Sequence, residues 1–316
     1  MLSRIIHVAV GVVVGSDGTI LIAKRPDNAH QGGLWEFPGG KVEENESVFE
    51  ALHRELFEEL AIRTIATEPL IKIRHDYGDK IVLLDVHKVT QFSGEPTGNE
   101  GQPVIWVLPA NLHNYAFPAA NRPIITAINL PSRWLITGAF NGLGDFSARL
   151  RSALARGIHF VQLRVDPEIL TPELVDHVYR LCETYSANLS INTSPDVFIK
   201  LTESKIKTGL HLNSTNLSGC YCRPVSDKVL LSASCHNRQE VEHAQKIGVD
   251  FICLSPVRVT QSHPEQQAMG WQVFEQLVEG ATIPVYALGG MQEVDLEQAR
   301  QCGAQGIAAI SEWWQI

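Results

Sequence analysis

The stretch GKVEENESVFEALHRELFEELAI, residues 40–62, decides how the first part of this chain folds and what it can hold. Leu52, Leu56 and Leu60 recur every fourth position, so a helix drawn through them lays one apolar stripe against a core. Ser47, followed three residues later by Glu50, has the spacing of a capping box and opens that helix. On the same helix Glu55, Glu58 and Glu59 stand three and four positions apart and fall within an arc of about 100°. Like charges at these spacings cost an exposed helix about 0.2–0.5 kcal/mol per pair, so the helix gains nothing from them unless a cation joins them. Two readings stand at this point: a solvated acidic face, or a set of hard oxygen ligands for Mg2+ or Mn2+.

Working outward, residues 5–15 and 20–24 are β-rich runs joined by Ser16-Asp17-Gly18-Thr19, a hairpin signal. The apolar run at residues 5–14 contains His7, is rich in valine and lacks an A-x-A cleavage site, which makes it a strand rather than a signal peptide. A Gly/Pro-rich loop at residues 31–40 leads into the helix, and further strands at 81–89 and 104–107 complete an α+β unit. After Leu130-Pro131-Ser132 the rhythm changes to alternating strand and helix, the cadence of a parallel α/β fold. Apolar runs at 134–137, 160–164, 189–192, 209–212, 229–234, 251–255, 285–289 and 306–310 supply eight strands, enough for a compact (β/α)8 barrel. The domains are therefore expected at residues 1–130 and 131–316.

The 316-residue length suits two domains, and 44% apolar with 19% charged residues allows each a core of its own. A net charge of -9 argues against stable nucleic-acid binding or an anionic membrane surface, which call for clustered Lys and Arg. No stretch approaches the 18 or more apolar residues of a membrane span. The partner expected is a small molecule, and a polyphosphate would need a divalent cation to offset the acidic site. All six cysteines follow residue 180 without a C-x-x-C spacing, which points to reduced thiols and a cytoplasmic protein. Cys220 and Cys222 form a C-x-C pair, readable either as a metal or redox pair or as ordinary loop thiols.

Taken together, Gly40, Glu46, Arg54, Glu55, Leu56, Glu58, Glu59 and Ile62 fall at G-x5-E-x7-R-E-U-x-E-E-x-x-U, with U a bulky apolar residue, and this resembles the Nudix box. The family usually has Gly where this chain has Ala61, which forbids an easy positive φ after the helix. The resemblance implies a phosphoanhydride hydrolase with Mg2+ or Mn2+ as cofactor. The Gly39 carbonyl, Glu58 and Glu59 would be ligands, Glu55 the candidate base that can also face the metal, and Arg54 would orient the carboxylate one turn on. Ala23-Lys24-Arg25, Asp27-Asn28-Ala29-His30, Trp35 to Lys41, Glu100-Gly101-Gln102-Pro103 and Phe117 to Pro123 resemble the MutT-type subgroup in particular. That narrower likeness implies cleavage of 8-oxo-dGTP to the monophosphate and pyrophosphate. Glu100 would be a further ligand, and Arg25, His30, Phe37, Lys41, Lys80 and Asn121 would form the nucleotide pocket. Asn121 can pair with the edge of a guanine-like ring or, alternatively, cap a helix starting at Ile124. Lys80 replaces an arginine of the subgroup and loses its two-pronged fork.

The second part resembles the thiamin phosphate synthase and TenI family through Phe160-Val161-Gln162-Leu163-Arg164, Leu189 to Asn192, Gly209-Leu210-His211-Leu212, Ser232 to His236, Ala287 to Gly290 and Gly303 to Gly306. The resemblance implies a pocket at the C-terminal mouth of the barrel, formed by Gln162, Arg164, Asn192, His211, Ser234, His236, Gly289, Gly290 and Ser311, for a phosphorylated thiazole or pyrimidine. Synthases of the family carry a lysine and two aspartates where this chain has Asp166, Thr193 and Asn216. Those losses remove Mg2+ ligands and add repulsion toward a diphosphate. The barrel is thus expected to be a binding module, with a TenI-like proton transfer at His236 as the alternative.

Overall fold

The structure, a computed structural model, describes residues 5–27, 31–76, 78, 81–202, 208–260 and 267–315. His30 and Lys80 lie outside the described residues. The chain divides into two compact units, Met1–Asn129 and Leu130–Ile316.

In the first unit the strands are β1 (Ile5–Val13), β2 (Ile20–Lys24), β3 (Trp35–Glu36), β4 (Gly39–Lys41), β5 (Arg63–Asp76), β6 (Ile81–Ser93) and β7 (Val104–Val107), with helices α1 (Val48–Leu60) and α2 (Arg122–Asn129). Four strands form a mixed sheet in the order β4-β1-β6-β5, and three form an antiparallel sheet in the order β3-β2-β7. The strict alternation of β1 explains the layering. Ala9 and Val13 pack with Leu52, Leu56 and Leu60 of α1, whereas Val10 and Val12 pack with Ile124 and Ala127 of α2. Gly11 sits on the α1 side, where a Cβ would meet the Leu56 side chain at 3.2 Å.

Ser47 caps α1 in a complete capping box with Glu50. The helix ends on Ala61 at φ 59 and ψ 22, the left-handed conformation that a glycine would adopt more easily. Two features differ from expectation. The loop before α1 contains the short strands β3 and β4, and β5 is a 14-residue strand with register shifts at Thr64/Ala66, Ala66/Thr67 and Pro69/Ile71. Those bulges and Pro69 break the two-residue alternation by which a strand is read from sequence.

The second unit closes β8 (Arg133–Ile136), β9 (Phe160–Leu163), β10 (Asn188–Asn192), β11 (Gly209–Leu212), β12 (Leu231–Cys235), β13 (Phe251–Leu254), β14 (Val285–Leu288) and β15 (Gly306–Ala309) into a parallel barrel. Around it run α3 (Gly142–Ala155), α4 (Pro172–Thr184), α5 (Pro195–Thr202), α6 (Ser214–Ser218), α7 (Arg238–Lys246), α8 (Gly270–Glu279) and α9 (Leu296–Gln301). Trp134, Phe160, Phe251 and Tyr286 stand at the beginnings of their strands and fill the floor of the barrel. Trp134 and Phe160 stack at 5.1 Å, and Phe251 and Tyr286 meet Trp134 edge-on. All six cysteines are free, and no helix among the described residues is long and apolar enough to cross a membrane.

Candidate functional site

The acidic face of α1 lies beside β4, and glycine is what allows the two to approach. A Cβ on Gly40 would fall 2.1 Å from the Glu55 carboxylate, and one on Gly39 would fall 2.2 Å from the Ala9 carbonyl. The Gly39 N–H donates to Glu59 Oε2 at 3.2 Å. Burial pushes the Glu59 carboxyl up to about 8, and the charges of Glu36, Glu55 and Glu100 reinforce that shift against the Gly39 N–H. Four acids thus press on one locus from β3, α1 and the loop before β7. A dense negative field around a poorly hydrated carboxyl is the condition that a hard divalent cation relieves, so these residues fit such an ion. Even so, among the described residues no three His, Cys, Asp or Glu side chains are gathered closely enough to enclose one unaided. Glu55 is drawn to Arg54, Glu59 to Gly39, and the Glu58 side chain remains 59% exposed.

Arg54 does more than face the next turn of its helix. Its Nε and Nη2 donate to the two oxygens of Glu46 at 2.9 Å each, Nη1 donates to Glu55 at 2.8 Å, and Nη2 donates to the Lys41 carbonyl at 3.0 Å. Glu58, the carboxylate expected to be oriented by Arg54, lies farther away at 3.6 Å. The guanidinium is therefore a clasp among the loop, β4 and Glu55, and the fork geometry of arginine suits that task. Lys41 enters it through its backbone, with its side chain exposed.

The expected nucleotide pocket is brought together only in part. Arg25 pairs with Glu36, a half-buried acid whose carboxyl is raised by burial against that pairing. Glu36 is a site residue that sequence reasoning passed over, because a single glutamate between Trp35 and Phe37 carries no helical spacing to mark it. Phe37 is 4% exposed and stacks on Phe117 at 5.3 Å, so its ring packs in the core. Asn121 ends a short 3-10 turn, and α2 begins at Arg122 rather than Ile124. The Asn121 carboxamide makes no hydrogen bond among the described residues, so it does not serve as a cap. Glu100 is exposed, held by its backbone N–H to Gln102 Oε1 at 2.9 Å.

The barrel has a different character. Above its aromatic floor, Gln162 and His211 are each 1% exposed. His211 Nδ1 meets Ser232 Oγ and Nε2 meets Ser234 Oγ, both at 2.9 Å, so the ring is spent on interior partners. Burial, helped by the Arg164 charge, pushes its pKa down to about 3 and keeps the ring neutral. His211 thus lies buried beneath the mouth, held by Ser232 and Ser234. Gln162 Oε1 is buried and has no hydrogen-bond partner among the described residues. At the mouth, Arg164 is exposed just past β9, Asn192 ends β10, and His236 Nδ1 lies 2.9 Å from Glu240 Oε2 and 3.2 Å from Ser214 Oγ. Gly289 and Gly290, at φ 98 and φ 67, follow β14, and Ser311 is exposed beyond β15. A Cβ on Gly289 would meet Pro256 at 2.7 Å, which explains why glycine is required there. Asp166 is exposed and Asn216 lies in α6, capped by the Asn213 side chain.

Fold and site define a two-part protein: a hydrolase unit built on an acidic helix, and a parallel (β/α)8 unit. Residues 9–127 match the family described as NUDIX domain, and residues 134–313 match the family described as Thiamine monophosphate synthase. The chain belongs to the NUDIX family through its first unit and to the thiamine monophosphate synthase family through its second. It is 35% identical over 123 residues to the 8-oxo-dGTP diphosphatase of Escherichia coli, covering 39% of this chain and 95% of that protein. It is also 37% identical over 118 residues to the CTP pyrophosphohydrolase of the same organism, covering 37% of this chain and 87% of the relative. A protein of Aquifex aeolicus provisionally named thiamine-phosphate synthase 2 is 32% identical over 188 residues, covering 58% of this chain and 98% of that protein. The first unit is accordingly a hydrolase of phosphoanhydride bonds, in a family that generally uses a divalent metal.

Proposed function

We propose that the first unit, residues 1–130, hydrolyses oxidised dGTP to the monophosphate and pyrophosphate with Mg2+ as its cofactor, and so cleans the nucleotide pool of a cytoplasm. The observation that carries this reading is the convergence of Glu36, Glu55 and Glu100 on the half-buried Glu59 beside Gly39. A bound Mg2+ or Mn2+ lowers the pKa of attacking water and neutralises charge developing on the phosphates. Glu58, Glu59, Glu100 and the Gly39 carbonyl would hold it. Arg54 keeps Glu55 in place, where its carboxylate can take the proton of the water. On the recognition side, the uncommitted carboxamide of Asn121 can both donate to and accept from a purine edge, and Arg25, steadied by Glu36, faces the sugar and base.

The likeness to a CTP pyrophosphohydrolase makes the base the point to test. With the full chain and Mg2+, 8-oxo-dGTP is expected to be cleaved faster than dGTP, CTP or thiamin diphosphate. Equal rates on dGTP and its 8-oxo form would remove the selectivity. A faster rate on a thiamin-related diphosphate would favour the second reading, in which the hydrolase serves the ligand of its fused barrel.

For residues 131–316 we infer a binding module for a phosphorylated thiazole or pyrimidine, without synthase turnover. The positive-φ backbone at Gly289 and Gly290, beyond β14, suits a phosphate. Asp166, Thr193 and Asn216 supply no metal-binding pair for a diphosphate. One observation favours a proton-transfer role instead: Glu240 and Ser214 both engage Nδ1 of His236, which leaves Nε2 as the nitrogen that could face a ligand. Exchange of a ligand C–H in D2O that is lost in His236→Ala would establish that role.

A further inference from the structure

A helix leaves its last carbonyls without partners, and at the end of α1 a loop from elsewhere in the chain supplies them. Thr97 N–H donates to the Leu60 carbonyl and Asn99 N–H to the Glu59 carbonyl, both at 3.0 Å, while Asn99 Nδ2 donates to the Glu58 carbonyl at 3.2 Å. The loop then turns back on itself through Gly101 N–H to the Gly98 carbonyl at 2.9 Å. Gly98 is forced by this closeness, since a Cβ there would lie 1.9 Å from the Gln102 carbonyl.

Gln102 uses both ends of its carboxamide inside this clasp. Nε2 donates to the Glu59 carbonyl at 2.9 Å, and Oε1 accepts from the Glu100 N–H at 2.9 Å. One half-buried side chain therefore ties the backbone of the helix acid to the backbone of the loop acid. Only a carboxamide offers a donor and an acceptor at this reach. We propose that Gln102 is a positioning residue for hydrolysis: it sets the spacing of Glu59 and Glu100 and thereby the affinity of the site for its divalent cation. This rests on the reading of Glu59 and Glu100 as facing that cation, and it assigns no contact with substrate to Gln102.

The test is a double-mutant cycle in the full chain with Gln102→Met, Glu100→Gln and the pair, read by direct Mn2+ titration and by kcat and KM at saturating Mn2+. Gln102→Met should weaken Mn2+ binding and lower kcat by about 10- to 100-fold, the effect of removing an outer partner of a ligand, with little change in nucleotide KM. The double variant should bind Mn2+ no worse than Glu100→Gln, because the two changes remove one interaction. Where Gln102→Met unfolds, Gln102→Asn replaces it; one methylene shorter, it keeps the chemistry but cannot span both partners. Wild-type Mn2+ binding in the Gln102 variants with weakened binding in Glu100→Gln would overturn the latch alone. Additive losses would overturn it too. Unchanged binding in Glu100→Gln would remove Glu100 from the metal site and the latch with it.

Discussion

The two units of this chain treat buried polarity in opposite ways. In the hydrolase unit Glu59 is pressed by three other carboxylates and pushed up to about 8, with one backbone N–H as its hydrogen-bond partner. In the barrel, His211 is more deeply buried still, yet both nitrogens find serine hydroxyls and the ring simply stays neutral. The first arrangement leaves negative charge unbalanced, and the second is closed upon itself. Charge left unbalanced by the fold marks a site that does work on a ligand, whereas a polar network that satisfies its own members supports the walls of a pocket.

The sharpest way to break that contrast is to neutralise each side. Glu59→Gln removes a charge that the site needs, so hydrolysis should fall by about three orders of magnitude, measured as pyrophosphate release with saturating Mg2+. The fold should survive, because the amide keeps the acceptor for Gly39 N–H. His211→Gln in the barrel should leave that hydrolysis unchanged. Survival of turnover in Glu59→Gln would place the metal elsewhere.

A second test uses pH. The folded, metal-free Glu59 holds a proton up to about 8, whereas in the unfolded chain it would release it near 4.5. Its contribution favours the folded state fully below the unfolded value and is lost as pH rises through about 8. A cation must displace this proton, so Mn2+ affinity should climb about tenfold per pH unit in the window below the folded value and level off above it. Calorimetry in two buffers of different ionisation heat should show about one proton released per ion at pH 6.5 and none at pH 9.5. A flat profile would mean that Glu59 does not meet the ion.

How far the sequence exposed this contrast depended on periodicity. The stripe of Leu52, Leu56 and Leu60, the capping box at Ser47 and the spacing of Glu55, Glu58 and Glu59 are all set by helical geometry, and the eight barrel strands are short apolar runs between turn signals. What stayed hidden depends on distance in space. Glu36 lies on a two-residue strand, Gln102 in a loop more than forty positions from the carbonyl it holds, and β5 loses its alternation to bulges. The place of the Phe37 ring was hidden for the same reason: it meets Phe117, eighty positions on, in the core.

The barrel side can be sharpened by restoring what it lacks. Asp166→Lys with Thr193→Asp and Asn216→Asp returns the cation and the two carboxylates at positions next to β9, β10 and β11. Binding of a pyrimidine diphosphate, measured by calorimetry, should then strengthen about tenfold with Mg2+, as ~1.4 kcal/mol of recovered charge attraction would give. The wild-type chain should show no such dependence. An Mg2+ effect of the same size in the wild type would mean that the barrel holds metal through other residues and is no closed network.

The smallest expected effect concerns Ala61, which ends α1 in the left-handed region at φ 59 while its N–H still bonds the Phe57 carbonyl. A methyl group in that conformation costs about 1–2 kcal/mol, and the loop at Thr97 and Asn99 holds the helix end in place despite it. Ala61→Gly should relieve most of the strain but widen the freedom of the unfolded chain, so the net gain should be about 1 kcal/mol, seen as a rise of a few degrees in the unfolding midpoint of this unit. Because Ala61 bears no ligand, kcat and Mn2+ affinity should stay where they are. If stability rose while metal affinity fell, the strained turn would be holding Glu58 and Glu59 in register, and the incompleteness of the acidic site would extend from its charge to its backbone.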